Sequence, residues 1–184
     1  MLELAAASVW SALSPLTSLD WEARAGSLSW SCRETAVHIA HDLLAYAGQV
    51  AGGPTEAYLP FDLTVRAEAS TAEVLDVVMA CAGLLGGAVA AADPSARAWH
   101  WGPVDPGGFA ALGVSELLIH AYDITAGLGV QWRAPGALCT GVLERLFPGA
   151  PAGDPFAVLL WCTGRAPLGE RPRQTSWVLR AALP

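Results

Sequence analysis

Glu116 and His120 stand four residues apart in a stretch, Ala110–Gly127, that is otherwise rich in apolar residues. At roughly 100° per residue the two side chains leave a helix on one face, about 40° apart, and Asp123 falls on the same stripe. Phe109, Leu112, Leu117, Leu118 and Ile124 surround them in sequence. A carboxylate and an imidazole buried in such a helix are costly unless something pairs with them. A divalent cation is an efficient partner, and one histidine-bearing helix elsewhere would complete its site.

Two of the four histidines, His38 and His41, share one face of a second amphipathic stretch, among Val37, Ile39, Leu43 and Leu44. Two imidazoles and one carboxylate drawn from two helices leave coordination positions open for water or substrate, the layout of a catalytic centre more than of a closed structural one. The spacing alone does not settle this. Glutamate and histidine four apart also form ordinary helix-surface contacts, and the fourth histidine, His100, lies in a Trp-rich loop that packing alone would explain.

The elements that must position these residues read as mostly helical. A first helix is expected over Leu2–Leu13, ended by Pro15. Ser31, with Glu34 three residues on, is a capping box that opens a second helix running to about Val50, stopped by Gly52-Gly53-Pro54. Pro60–Arg66 reads as extended, either an edge segment or plain loop. Ser70 and Glu73 form another capping box for a third helix ending near Asp93-Pro94. The turn-rich segment Trp99–Gly108 precedes a fourth helix that reaches Gly127/Gly129. Pro135 fits the first turn of a helix to Phe147, and Asp154-Pro155 opens a last one through Trp161. The tail Pro172–Pro184 is expected to be irregular or to hold one short strand. Four long helices with apolar stripes predict an all-α, up-down four-helix bundle within a single domain, 1–184, and bundle interiors are natural places for metal sites.

Composition narrows the function. The formal charge is −7 and the pI near 4.9, with no arginine cluster, so neither nucleic acid nor an anionic membrane surface is an expected partner. All 10 basic residues are arginine, which excludes lysine Schiff-base chemistry. Cys32, Cys81, Cys139 and Cys162 are widely spaced, with no CxxC pair, and are expected to be buried free thiols. No uninterrupted apolar run is expected to reach the roughly 18–20 residues that cross a bilayer. Val74–Ala92, carrying Asp76 and several glycines, reads as a buried helix, and the N-terminus lacks the basic region of a signal peptide. The expected location is the cytoplasm. The hydrophobic share of 53% is compatible with a homodimer interface.

Two segments resemble a known family. Trp30-Ser31-Cys32-Arg33-Glu34-Thr35-Ala36-Val37-His38-Ile39-Ala40 is similar to the W-[ST]-x-[RK]-[DE]-x-x-x-H-[LIV]-A signature of DinB-like bundles. Gly113–Ile124 is similar to the E-x-x-x-H-x-x-D-[LI] helix of the same proteins. Both resemble the branch that contains mycothiol-dependent maleylpyruvate isomerase and related actinobacterial thiol S-transferases, over about Trp10 to Trp177. The resemblance implies a DinB-like fold and a divalent metal held by His38, Glu116 and His120, with Asp123 as an outer acceptor orienting His120 or a direct ligand. Zinc is the first expectation, and nickel, iron or manganese suit the same donors.

The resemblance further implies a metal-dependent enzyme acting on a small-molecule substrate, a thiol S-transferase or isomerase with mycothiol as co-substrate. A thiol-independent hydrolase, lyase or isomerase of a specialised-metabolite pathway is the alternative, and a binding bundle without chemistry is the third reading. The last thirty or so residues resemble a short extension rather than the separate C-terminal domain of the isomerase. His41, His100 and Asp123 are the candidate general acids or bases, since a histidine near its ordinary pKa of about 6.5 needs little tuning. Trp99, Trp101 and Tyr122 are candidates for an apolar pocket wall, Arg66 or Arg97 for an anionic substrate group, and Trp30 for packing.

Overall fold

The structure, a computed structural model, describes residues 1–182. Six helices carry it: α1 (Leu2–Leu13), α2 (Cys32–Gly52), α3 (Thr71–Ala91), α4 (Pro106–Gly127), α5 (Gly136–Leu146) and α6 (Pro155–Cys162). A 3-10 turn, Ser14–Leu16, extends α1, and a two-stranded antiparallel hairpin, β1 (Ala98–Trp99) with β2 (Pro103–Val104), precedes α4. Ser31 and Ser70 both form complete capping boxes, each hydroxyl accepting from the amide three residues on while Glu34 or Glu73 returns to the cap amide. Gly53 closes α2 in the left-handed region at φ +63°. Replacing Ser31 by alanine is expected to cost about 1 kcal/mol, some 2–4 °C of melting temperature. A circular-dichroism melt unchanged from wild type would show that this cap contributes nothing.

The first four helices form the bundle. α1 and α2 each pack against both α3 and α4, so the two chain-consecutive helices occupy opposite corners and the segment between them crosses the bundle. Apolar stripes meet at Leu13, Ile39, Leu43, Leu75, Leu85, Leu112, Leu117 and Leu118, all fully buried. At Gly113 the helices approach closely: a Cβ there would come within 2.5 Å of Leu85 and 3.1 Å of both Leu2 and Leu43. α5 packs on α4, and α6 on α5. All four cysteines are buried and free. Burial, with Asp20 adding to it, pushes the Cys32 thiol up to about 11.

Three sequence expectations need correction. α3 has the length and apolarity of a bilayer-crossing helix, 21 residues with a mean hydropathy of 2.0 over an 18-residue window, because its valines and leucines outweigh Asp76 and the glycines. In the fold it is a bundle helix that buries Val74, Leu75, Val78, Cys81, Ala82 and Leu85. α4 starts at Pro106, not at Ala110, since the Asp105 side chain accepts from the Gly108 amide and Pro106 suits the first turn. The Trp-rich segment is a hairpin rather than a plain loop. Pro60–Arg66 is loop, and the tail from Pro172 is irregular as far as it is described, its last two residues lying outside the described part.

Candidate metal centre

The site is built between α2 and α4. His38, Asp42 and Tyr46 recur at four-residue spacing and share one face of α2, while Glu116, His120 and Asp123 share the facing stripe of α4. Glu116 Oε2 lies 3.2 Å from His120 Nε2 and 3.6 Å from His38 Nε2. One donor atom from each of the three residues falls within 4.8 Å of the others. Ligands at about 2.0–2.2 Å from a tetrahedral cation stand about 3.4 Å apart. These two separations bracket that value, so the donor set fits a single divalent ion.

The surroundings fix each donor. His120 Nδ1 lies 3.0 Å from Asp123 Oδ2 and donates to it, which leaves Nε2 for the cluster. On the solvent side, the Trp30 ring stands with its centroid 4.7 Å from that of His38 and is 41% exposed. A tight turn holds it there: Ala25 N–H donates to the Trp30 carbonyl at 2.9 Å, and Leu28 N–H to the Ala25 carbonyl at 2.9 Å. Trp30, read from sequence as a packing residue, packs on the ring of His38. His38 and Glu116 keep 28% and 17% side-chain exposure against 9% for His120, so the centre is approached from the His38 side.

Electrostatics follow from this enclosure. Burial disfavours the His120 cation, but hydrogen bonds and charge from Asp123 and Glu116 outweigh it and raise the imidazole to about 9. Burial likewise opposes ionisation of Glu116, and the two imidazoles overcome it, holding the carboxyl well below its usual range. Asp123, also penalised by burial, is kept low by His120 and Arg165. Burial and the charge of Glu116 raise Asp42.

The structure distributes the three acid–base candidates rather than gathering them. His41 lies beside Asp42, its ring nitrogens 3.0 Å from Asp42 and 3.2 Å from the exposed Asp62. The Asp42 hydrogen bond leads the effects that raise its pKa. His100 packs against Tyr46, Tyr58 and Phe109 and is bonded to the Tyr58 hydroxyl. Phe109 precedes Glu116 by about two helical turns, so His100 packs on the part of α4 that lies before the carboxylate, close enough to feel its charge. Burial lowers its pKa. Asp123 sits behind His120, 1% exposed, with His120 and Arg165 both bonded to it.

The expected aromatic wall does not assemble. Tyr122 is two residues past His120, hence about 200° around the helix, and packs on Phe156 with centroids 5.8 Å apart. Trp99 and Trp101 pair at 5.0 Å in the hairpin, Trp101 being 81% exposed. Arg97 spends its guanidinium on the Pro94 and Ala96 carbonyls, and the Arg66 carbonyl receives Arg33.

Sequence reasoning missed four contributors. Asp42, with Oδ2 3.6 Å from His38 Nε2, had a usable signal in its spacing from His38. Buried Gln49 anchors two loops, donating to the Ala57 and Trp99 carbonyls at 3.2 and 2.8 Å and accepting from Leu59 N–H at 3.0 Å. Tyr58 and Arg165 had no local signal.

Comparison with known proteins bears on the same residues. The family described as mycothiol maleylpyruvate isomerase N-terminal domain matches residues 2–125. No curated protein and no solved structure matches the chain. The match takes in most of the chain and every residue of the triad together with Asp123, and the chain belongs to the mycothiol maleylpyruvate isomerase N-terminal domain family, a DinB-like family of helical bundles.

Proposed function

We propose that the chain is a metal-dependent enzyme acting on a small molecule, a mycothiol-type thiol transferase or isomerase, with His38, Glu116 and His120 as ligands. The observation that carries this reading is the convergence of two imidazole nitrogens and one carboxylate oxygen within 4.8 Å, on a face that keeps some exposure. Family membership supports the thiol. When bound, a divalent cation supplies Lewis acidity, lowering the pKa of a thiol or water so that the anion exists near neutral pH. Zinc is the first choice of ion, and nickel, iron or manganese suit the donors.

The residues of the chain do the rest. Glu116 and His120 present their donors from successive turns of one rigid helix, and His38 closes the set from α2. Asp123 holds the His120 ring by its far nitrogen. Trp30 covers the His38 ring and walls the approach, keeping bulk water from one side of the incoming thiol or substrate. Within this reading His41, backed by Asp42 and Asp62, is a group able to give or take a proton.

The test begins with metal content. Purified wild-type protein is expected to carry close to one divalent ion, and His38→Ala and His120→Ala to lose it. Full retention in both variants would remove the site. Incubation with an electrophile and mycothiol is then expected to give a metal-dependent adduct, whereas metal-dependent turnover of substrate without any thiol would favour a hydrolase or lyase.

A further inference from the structure

The structure assigns Arg165, from the segment beyond the family match, as a positioning residue of the metal centre that acts through Asp123. This rests on the metal-binding reading above. Arg165 follows α6, just after Gly164, and reaches back to the carboxylate behind His120. Its Nη2 lies 2.8 Å from Asp123 Oδ2 and its Nε 3.3 Å from Oδ1, a two-point contact, while Nη1 donates to the Thr163 carbonyl at 2.9 Å. The guanidinium has a bond from each nitrogen and the side chain is 10% exposed.

The geometry decides what this does. Asp123 Oδ2 is shared between Arg165 and His120 Nδ1, at 2.8 and 3.0 Å. A carboxylate bound through both oxygens to a planar guanidinium cannot rotate freely about its own axis. The plane of Asp123, and with it the ring of His120, is therefore set by a residue 42 positions downstream. Such outer partners fix ring orientation at metal sites, and their loss costs about 10–100-fold in metal affinity. The carboxylate and histidine of α4 thus supply half of an arrangement that the segment following α6 completes. Arg165 touches neither donor atoms nor substrate.

The test uses Co²⁺ as the probe, its affinity read from the visible absorption of the bound ion, beside thermal unfolding of the metal-free protein. Arg165→Met is expected to weaken Co²⁺ binding by about 10–100-fold. Arg165→Lys, retaining the charge and one contact, is expected to recover part of the loss. In the Asp123→Asn background, Arg165→Met is expected to add no further loss, since both substitutions break one path. Arg165→Met that melts earlier but binds Co²⁺ as wild type would show a purely structural role and overturn the inference. So would losses that multiply in the double variant. Should Arg165→Met fail to fold, Arg165→Lys carries the test: unchanged affinity and spectrum with a lowered melting temperature would overturn the assignment. Wild-type protein that takes up no Co²⁺ would sink the metal reading itself, a different result from any of these.

Discussion

Glu116→Gln is expected to reduce divalent-metal affinity by more than about 100-fold, exceeding the loss at any residue behind the ligands, and to move the levelling of its pH dependence to lower pH, since Asp123 alone then holds the His120 proton. The reason is the charge arrangement of the metal-free site. Glu116 and Asp123 flank His120 and raise it from the ordinary 6.5 to about 9, so at neutral pH the incoming ion must displace a proton. Below that value each metal bound releases about one proton, and affinity should climb about tenfold per pH unit before flattening near pH 9. The same shift fixes the sign of the stability effect. A cation favoured by folding contributes stability that is complete below pH 6.5 and is lost as pH rises through about 9. Metal-free protein should therefore soften across that window, and added metal should offset the softening. Calorimetric titration at several pH values in buffers of different ionisation enthalpy reads the proton count directly. Proton release of zero, or an affinity flat from pH 6.5 to 9, would contradict the arrangement.

Asp123→Ala is expected to be the most destabilising single substitution at the site. It removes an acceptor that is 1% exposed and leaves the nearly buried Arg165 cation without its partner. Breaking one side of a buried pair typically costs about 3–5 kcal/mol. For a chain of this size that is a fall of some 6–20 °C in melting temperature. Asp123→Asn, which keeps the shape and one acceptor oxygen, should lose less. A thermal shift within a degree or two of wild type for the alanine variant would mean that water or another group takes over the guanidinium, and that the pair is not held as described.

How much of this was legible in the sequence depends on the distance over which each signal acts. Both capping boxes were written locally, as Ser31 with Glu34 and Ser70 with Glu73, and both form. The Glu116/His120/Asp123 stripe was legible because one helix carries all three. The matching ligand was not: His38 and His41 are equally plausible by periodicity, and only the resemblance around Trp30 singled out His38. The start of α4 was obscured by Gly107 and Gly108, which read as turn although Asp105 and Pro106 begin a helix. Asp42 was visible as the residue four past His38, but an acidic residue beside a histidine reads equally well as a solvated face. Arg165 had nothing to announce it, since its partner is fixed only when the segment after α6 reaches back to Asp123 on α4.

The enclosed thiols have a practical consequence. Cys32 and Cys139 are both held protonated, at about 11, by burial before any other effect. The folded chain therefore offers a disulfide reagent or soft electrophile almost no reactive sulfur of its own. Any adduct formed with an added thiol reports on that thiol alone, and sulfur that the protein does yield up over time counts the rate at which molecules open.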